Sequence, residues 1–144
     1  MYQIQVSWPY FSSAVPPLVP VFPQGLVSPP VLVPRVDMLE SPREIVVVVE
    51  APGVKTEELR VEVEELRLLV GGNVRTGIAE ENRELTFRYR ERAEGPFERA
   101  ISLPARVDAS IAAATYRQGL LIVRLPKAET APQGPRRISV SHLD

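Results

Sequence analysis

Between Arg35 and Lys127 the apolar residues recur mostly at every second position, the mark of half-buried strands. Leu59, Val61 and Val63 alternate with Arg60, Glu62 and Glu64, and Leu68 and Val70 resume the pattern after a turn at Glu64-Glu65-Leu66. Leu85, Phe87 and Tyr89 alternate with Thr86, Arg88 and Arg90, which predicts another strand over residues 85–90. Phe97, Arg99, Ile101 and Leu103 share one face of the next strand, and Pro104 ends it. Ile45 to Val49 is β-branched throughout and apolar at both parities, as suits a strand covered on both faces. Two further strands, Ile111–Arg117 and Leu120–Leu125, are joined through Gln118-Gly119, where glycine supplies the positive φ of a tight hairpin. Many short strands and no long amphipathic helix predict an all-β sandwich.

The flanks differ from this core. Residues 1–34 contain no charged side chain, yet hold eight of the 15 prolines and five of the nine aromatics, Tyr2, Trp8, Tyr10, Phe11 and Phe22. The stretch 14–34 is apolar enough to suggest a membrane span, but its repeated prolines would break a helix and leave backbone groups unsatisfied in lipid. No positive region precedes it, so it does not read as a signal peptide. It reads as a sticky, non-helical arm displaying large apolar side chains to partners. From Ala128 the chain is polar, contains Pro132, Gly134 and Pro135, and reads as a flexible tail ending in Arg136-Arg137-Ile138-Ser139-Val140. In an extended segment Ile138 and Val140 point the same way, so this short motif could add to a sheet edge and fill two pockets, or be a chance apolar pair.

Composition removes several kinds of chemistry. The 144 residues suffice for one ordinary domain with extensions, here 1–34, 35–127 and 128–144. There is no cysteine and one histidine, His142, which argues against thiolate catalysis and multi-histidine metal sites. A net charge of −1 offers no field for nucleic acid or anionic membranes, and Arg136-Arg137 alone is weak support for either. Gly71-Gly72 lacks the rest of any phosphate-binding signature and predicts a strand end or turn. Ser139, Ser141 and His142 are neighbours only on the tail, so no enzyme is expected, and no cofactor or metal.

Several motifs, in order, resemble the small heat-shock protein (α-crystallin domain) family of bacterial type. Pro34-Arg-Val-Asp37-Met-Leu-Glu40 is similar to its P-x-x-D-x-x-E opening, and Ala51-Pro52-Gly53-Val54 to its PGV turn. Glu91-Arg92, Gly95, Phe97, Arg99 and Leu103-Pro104 match E-R-x-x-G-x-F-x-R-x-x-x-L-P. Ala114 to Leu121 matches A-x-x-x-n-G-x-L, Leu125-Pro126-Lys127 closes the domain, and Ile138-Ser139-Val140 resembles the I-x-I/V anchor. Three positions depart from the pattern: Gln118 where Asn is usual, Leu66 at a turn position, and Ala112 where a branched residue is common.

The resemblance implies an immunoglobulin-like α-crystallin sandwich that binds non-native proteins without ATP and assembles as a homo-oligomer of dimers in the cytoplasm, with no nucleic acid partner and no membrane span. It implies a tail anchor at Ile138 and Val140, seated in a groove of a neighbouring subunit made by Leu59, Val61, Val63, Ile111, Ala114 and Tyr116. It implies a dimer interface with Leu85, Phe87 and Tyr89 on a strand that crosses to a neighbour, a local hairpin in the same chain being the alternative, and with Arg99 paired to Glu91 either within the chain or across the dimer. Client binding falls to Trp8, Tyr10, Phe11 and Phe22. A CS-domain co-chaperone module is the alternative; it shares the sandwich but is expected to lack the apolar arm and the tail motif.

Overall fold

The computed structural model describes residues 32–129 and 135–143. In chain order the strands are β1 (Val36–Glu40), β2 (Glu44–Glu50), β3 (Arg60–Glu64), β4 (Arg67–Val74), β5 (Gly95–Ser102), β6 (Ala113–Arg117), β7 (Leu120–Pro126), β8 (Arg136–Arg137) and β9 (Val140–His142). One helical turn, α1 (Ile78–Glu81), follows β4. They form two sheets, β1-β2-β7-β6-β9 and β5-β4-β3-β8.

The alternation in sequence becomes the core because paired residues share a face. Ile45, Val47 and Val49 of β2 lie opposite Leu125, Val123 and Leu121 of β7, and all six are fully buried. Val61 and Val63 of β3 oppose Val70 and Leu68 of β4, and Leu68 opposes Ile101 of β5. Tyr116 adds a buried bond between elements, its hydroxyl donating to the Ala51 carbonyl at 2.7 Å.

Four local expectations need correction. Val46 and Val48 are only half-buried, so β2 is covered on one face by the opposing sheet and not on both. Gly71-Gly72 lies inside β4 rather than at a turn; a Cβ at Gly72 would stand 3.0 Å from the Phe97 ring and 3.2 Å from Leu59, so the site needs no side chain for the sheets to close. Residues 85–90 form no strand, because among the described residues no strand of this chain pairs with them. Strand β6 begins at Ala113, not at Ile111. The two turn departures are absorbed: Gln118 (φ 51°) and Gly119 (φ 77°) both adopt the left-handed conformation, and Glu65 (φ 51°), not Leu66, carries it in the other hairpin.

Candidate tail-binding groove and assembly surfaces

Strands β3 and β6 are outer strands of different sheets, and the tail bridges them. Arg136 and Arg137 pair antiparallel with Val63 and Glu62, after which Ile138 turns inward and its N–H donates to the Val61 carbonyl at 2.8 Å. Val140, Ser141 and His142 then run parallel to Ala114, Thr115 and Tyr116, and the Leu143 N–H donates to the Tyr116 carbonyl at 3.1 Å. Ile138 is only 5% exposed and belongs to the main core cluster; Val140 is half-buried against it. The Arg137–Glu62 ion pair, 3.6 Å long and exposed, adds little. Apolar burial at Ile138 and two short ladders therefore hold the tail.

Of the residues expected to line the groove, Leu59, Val61, Val63, Ala114 and Tyr116 are buried. Ile111 is not among them: it is 62% exposed. A turn explains this, since Asp108 accepts from the Ser110 hydroxyl at 2.5 Å and the Ser110 N–H at 2.9 Å, while the Ile111 N–H reaches the Asp108 carbonyl. These Ser110 bonds, with a smaller contribution from Arg136, hold the Asp108 carboxyl below its ordinary value. Ala112 faces the core instead, and its small size leaves an open hollow of about 410 Å³ between Ala112–Ala114 and the tail. The groove described here is the chain's own, where the sequence pointed to a neighbour's. The tail motif extends past Ile138 and Val140, because His142 continues their parity and its ring lies 6.1 Å from that of Tyr116.

The opposite side carries the other expected surface. Leu85, Phe87 and Tyr89 are 54%, 52% and 63% exposed, and the Arg90 guanidinium stacks 4.7 Å over the Phe87 ring. Arg99 is half-buried and shares its parity with Phe97 and Ile101, as the alternation requires. Its partner within the chain is not Glu91, which is exposed, but the Pro34 carbonyl at 2.5 Å. A guanidinium on an outer strand can leave the sheet sideways and meet the chain entering β1. Trp8, Tyr10, Phe11 and Phe22 lie outside the described residues.

The sequence profile of the Hsp20/alpha crystallin family matches residues 37–141, well over half of the chain. The chain belongs to this family. It is 37% identical over 109 residues to Heat shock protein 16 of Schizosaccharomyces pombe, covering 76% of each chain. It is 36% identical over 107 residues to the 16.9 kDa class I heat shock protein 3 of Oryza sativa subsp. japonica, covering 74% of this chain and 71% of that protein. Among solved structures, a small heat-shock protein from Xylella fastidiosa is 31% identical with a TM-score of 0.58, covering 71% of this chain and 93% of the other. The α-crystallin sandwich is thus established, and with it membership of a chaperone family of the stress response rather than of an enzyme family. Among the described residues no helix is long and apolar enough to cross a membrane.

Proposed function

We propose that this Hsp20-family chain is an ATP-independent holdase that binds non-native proteins through its first 34 residues and assembles as a homo-oligomer of dimers in the cytoplasm. The observation that carries the reading is a charge-free, aromatic-rich segment joined to a small heat-shock sandwich. A non-native client exposes apolar surface, whose burial is worth about 25 cal/mol per Å². Trp8, Tyr10, Phe11 and Phe22 offer matching surface without a charge to desolvate, while the charged strand domain keeps the complex in solution.

Assembly in this reading uses the two sides of the sandwich. The Leu85–Arg90 segment pairs with the free edge of β1 on a neighbour, and the Ile138–Val140 anchor can leave its own groove for that of another subunit. Burying Ile138 fully and Val140 partly contributes about 2–4 kcal/mol in gross terms. Ordering the few tail residues opposes this by about 1–2 kcal/mol each. One tail contact is therefore near break-even, and large assemblies hold through many tethered contacts. Such subunits exchange readily, and release needs no nucleotide.

The test is suppression of aggregation of a heated client protein without ATP, measured by light scattering. The full chain should protect, and a form lacking residues 1–33 should lose most protection while keeping its β-sheet circular dichroism. Dependence on ATP hydrolysis would refute the holdase reading, and full protection by the shortened form would move client binding onto the sandwich.

A further inference from the structure

The two outward-facing surfaces of the sandwich are unlike. On the four-stranded sheet the outward positions of β3 are Arg60, Glu62 and Glu64, as expected of a face turned to water. On the five-stranded sheet the equivalent centre is apolar: Leu39 and Val46 are paired across β1 and β2, Val48 and Ile122 across β2 and β7, with Leu120 beside them. Leu39 is 56% exposed and the other four are half-buried, so each still has a free apolar side. The β-branched run that reads in sequence as covered on both faces is covered on one by the opposing sheet. The tail adds to the edge of β6 and does not cover that outer face.

We infer that the outer face of the five-stranded sheet is a docking surface for the chain's own N-terminal segment, residues 1–31, when no client is bound. Three features single out this occupant. The Glu50 N–H donates to the Arg35 carbonyl at 3.0 Å, so the segment joins the sandwich at the corner where Glu50 pairs with Leu120, the margin of the apolar face. The face is only a few residues long, and an extended chain covers about 3.3 Å per residue, so the tether reaches all of it. The segment contains no charged side chain, so it brings no charge of its own to Val46, Val48 and Ile122. The flanking Asp37 and Arg124 are exposed at the margin of the apolar centre, where they can stay in water. A tethered occupant also acts at an effective concentration in the millimolar range, which a free partner must overcome. This goes beyond the holdase reading and does not depend on it.

The absence of cysteine and of any Lys or Arg before Arg35 makes a direct test possible. A benzophenone maleimide is attached at Arg124→Cys, an exposed position on this face, or at Glu98→Cys, an exposed position on the other sheet. After irradiation without client, trypsin releases residues 1–35 as one peptide, whose adducts are measured by mass spectrometry in assemblies of mixed light and heavy-isotope subunits. The expected result is adducts of peptide 1–35 from the Arg124→Cys label, joined within one chain, in clear excess over the Glu98→Cys label. The near-isosteric pair Val46→Thr and Val48→Thr should lower that yield about tenfold, by burying hydroxyls where methyls were. Equal yields from the two labels, adducts to peptide 1–35 of other subunits only, adducts to a second sandwich instead, or yields indifferent to the threonine pair would each overturn the proposal.

Discussion

The edge formed by β3 and β6 carries a bound strand on each sheet, whereas the edge formed by β1 and β5 carries none among the described residues. Both edges belong to the same sandwich and flank the same core. The difference lies in what the chain can bring to them. On the first side the tail supplies backbone for both ladders and an isoleucine for the gap between the sheets. On the second the chain leaves β4 and returns to β5 through residues 75–94, and its Leu85-Phe87-Tyr89 alternation finds no strand of its own to join. An unpaired edge is a template for another chain. One edge is thus completed by the chain's own tail, and the other carries no added strand among the described residues; in the proposed assembly it is the edge that takes a second molecule.

The largest effect should come from the closed edge. Ile138→Ala with Val140→Ala removes an isoleucine of the tail that is buried in the core, a change of the kind that costs about 2–5 kcal/mol, and a smaller contribution at the half-buried valine. Native mass spectrometry should then show dimers or small species in place of large assemblies, with β-sheet circular dichroism retained and amide exchange accelerated in β3 and β6. Assemblies of full size would mean that the tail does not hold them.

In that double variant the open edge can be examined alone. Leu85→Ser, Phe87→Ser and Tyr89→Ser together should turn the remaining dimers into monomers in sedimentation analysis. Because all three side chains are exposed within the chain, each change should move the stability of the isolated fold by no more than about 0.5 kcal/mol. Dimers that survive would place the contact elsewhere.

Most of the sandwich is legible in the sequence, because alternation and turn chemistry act locally. Leu59 to Val63 and Leu120 to Leu125 declare their buried face without reference to the rest of the chain, and Gln118-Gly119 declares its hairpin. What is not legible depends on a partner distant in sequence. Residues 85–90 have the pattern of a strand, but pairing needs a second backbone. Ile111 looks like the apolar start of β6, yet the Asp108–Ser110 turn decides the parity and passes the inward position to Ala112. The glycine pair in β4 signals a turn until Phe97 is seen packed against it. In the groove, the apolar residues could be read in advance, but not that one chain can seat its own tail.

Arg99 sharpens the comparison on the open side, since it ties β5 to the segment entering β1. Arg99→Ala should lower the stability of the fold by about 1.5–3 kcal/mol, the range for a hydrogen bond from a charged group, read from the midpoint of urea unfolding. A loss of about 3–5 kcal/mol accompanied by weaker dimers would instead reveal a buried carboxylate partner contributed by a second subunit.

The smallest effect belongs to the turn that sets the start of β6. The Ser110 hydroxyl, followed by its N–H, holds the Asp108 carboxyl below the ordinary carboxylate value. A carboxyl depressed in the folded state contributes stability above its unfolded value near 3.9, and that contribution is lost as the pH falls through the folded value. Neutral conditions therefore leave this turn unaffected, and any loosening of the tail edge through it is confined to pH below about 4. Ser110→Ala removes the first of these bonds, so the Asp108 titration followed by carboxyl NMR should move up towards the ordinary value, while assembly size at pH 7 stays the same. An unmoved titration would show that the backbone N–H and the Arg136 charge suffice to hold the carboxylate, and that the hydroxyl is not what fixes the parity of β6.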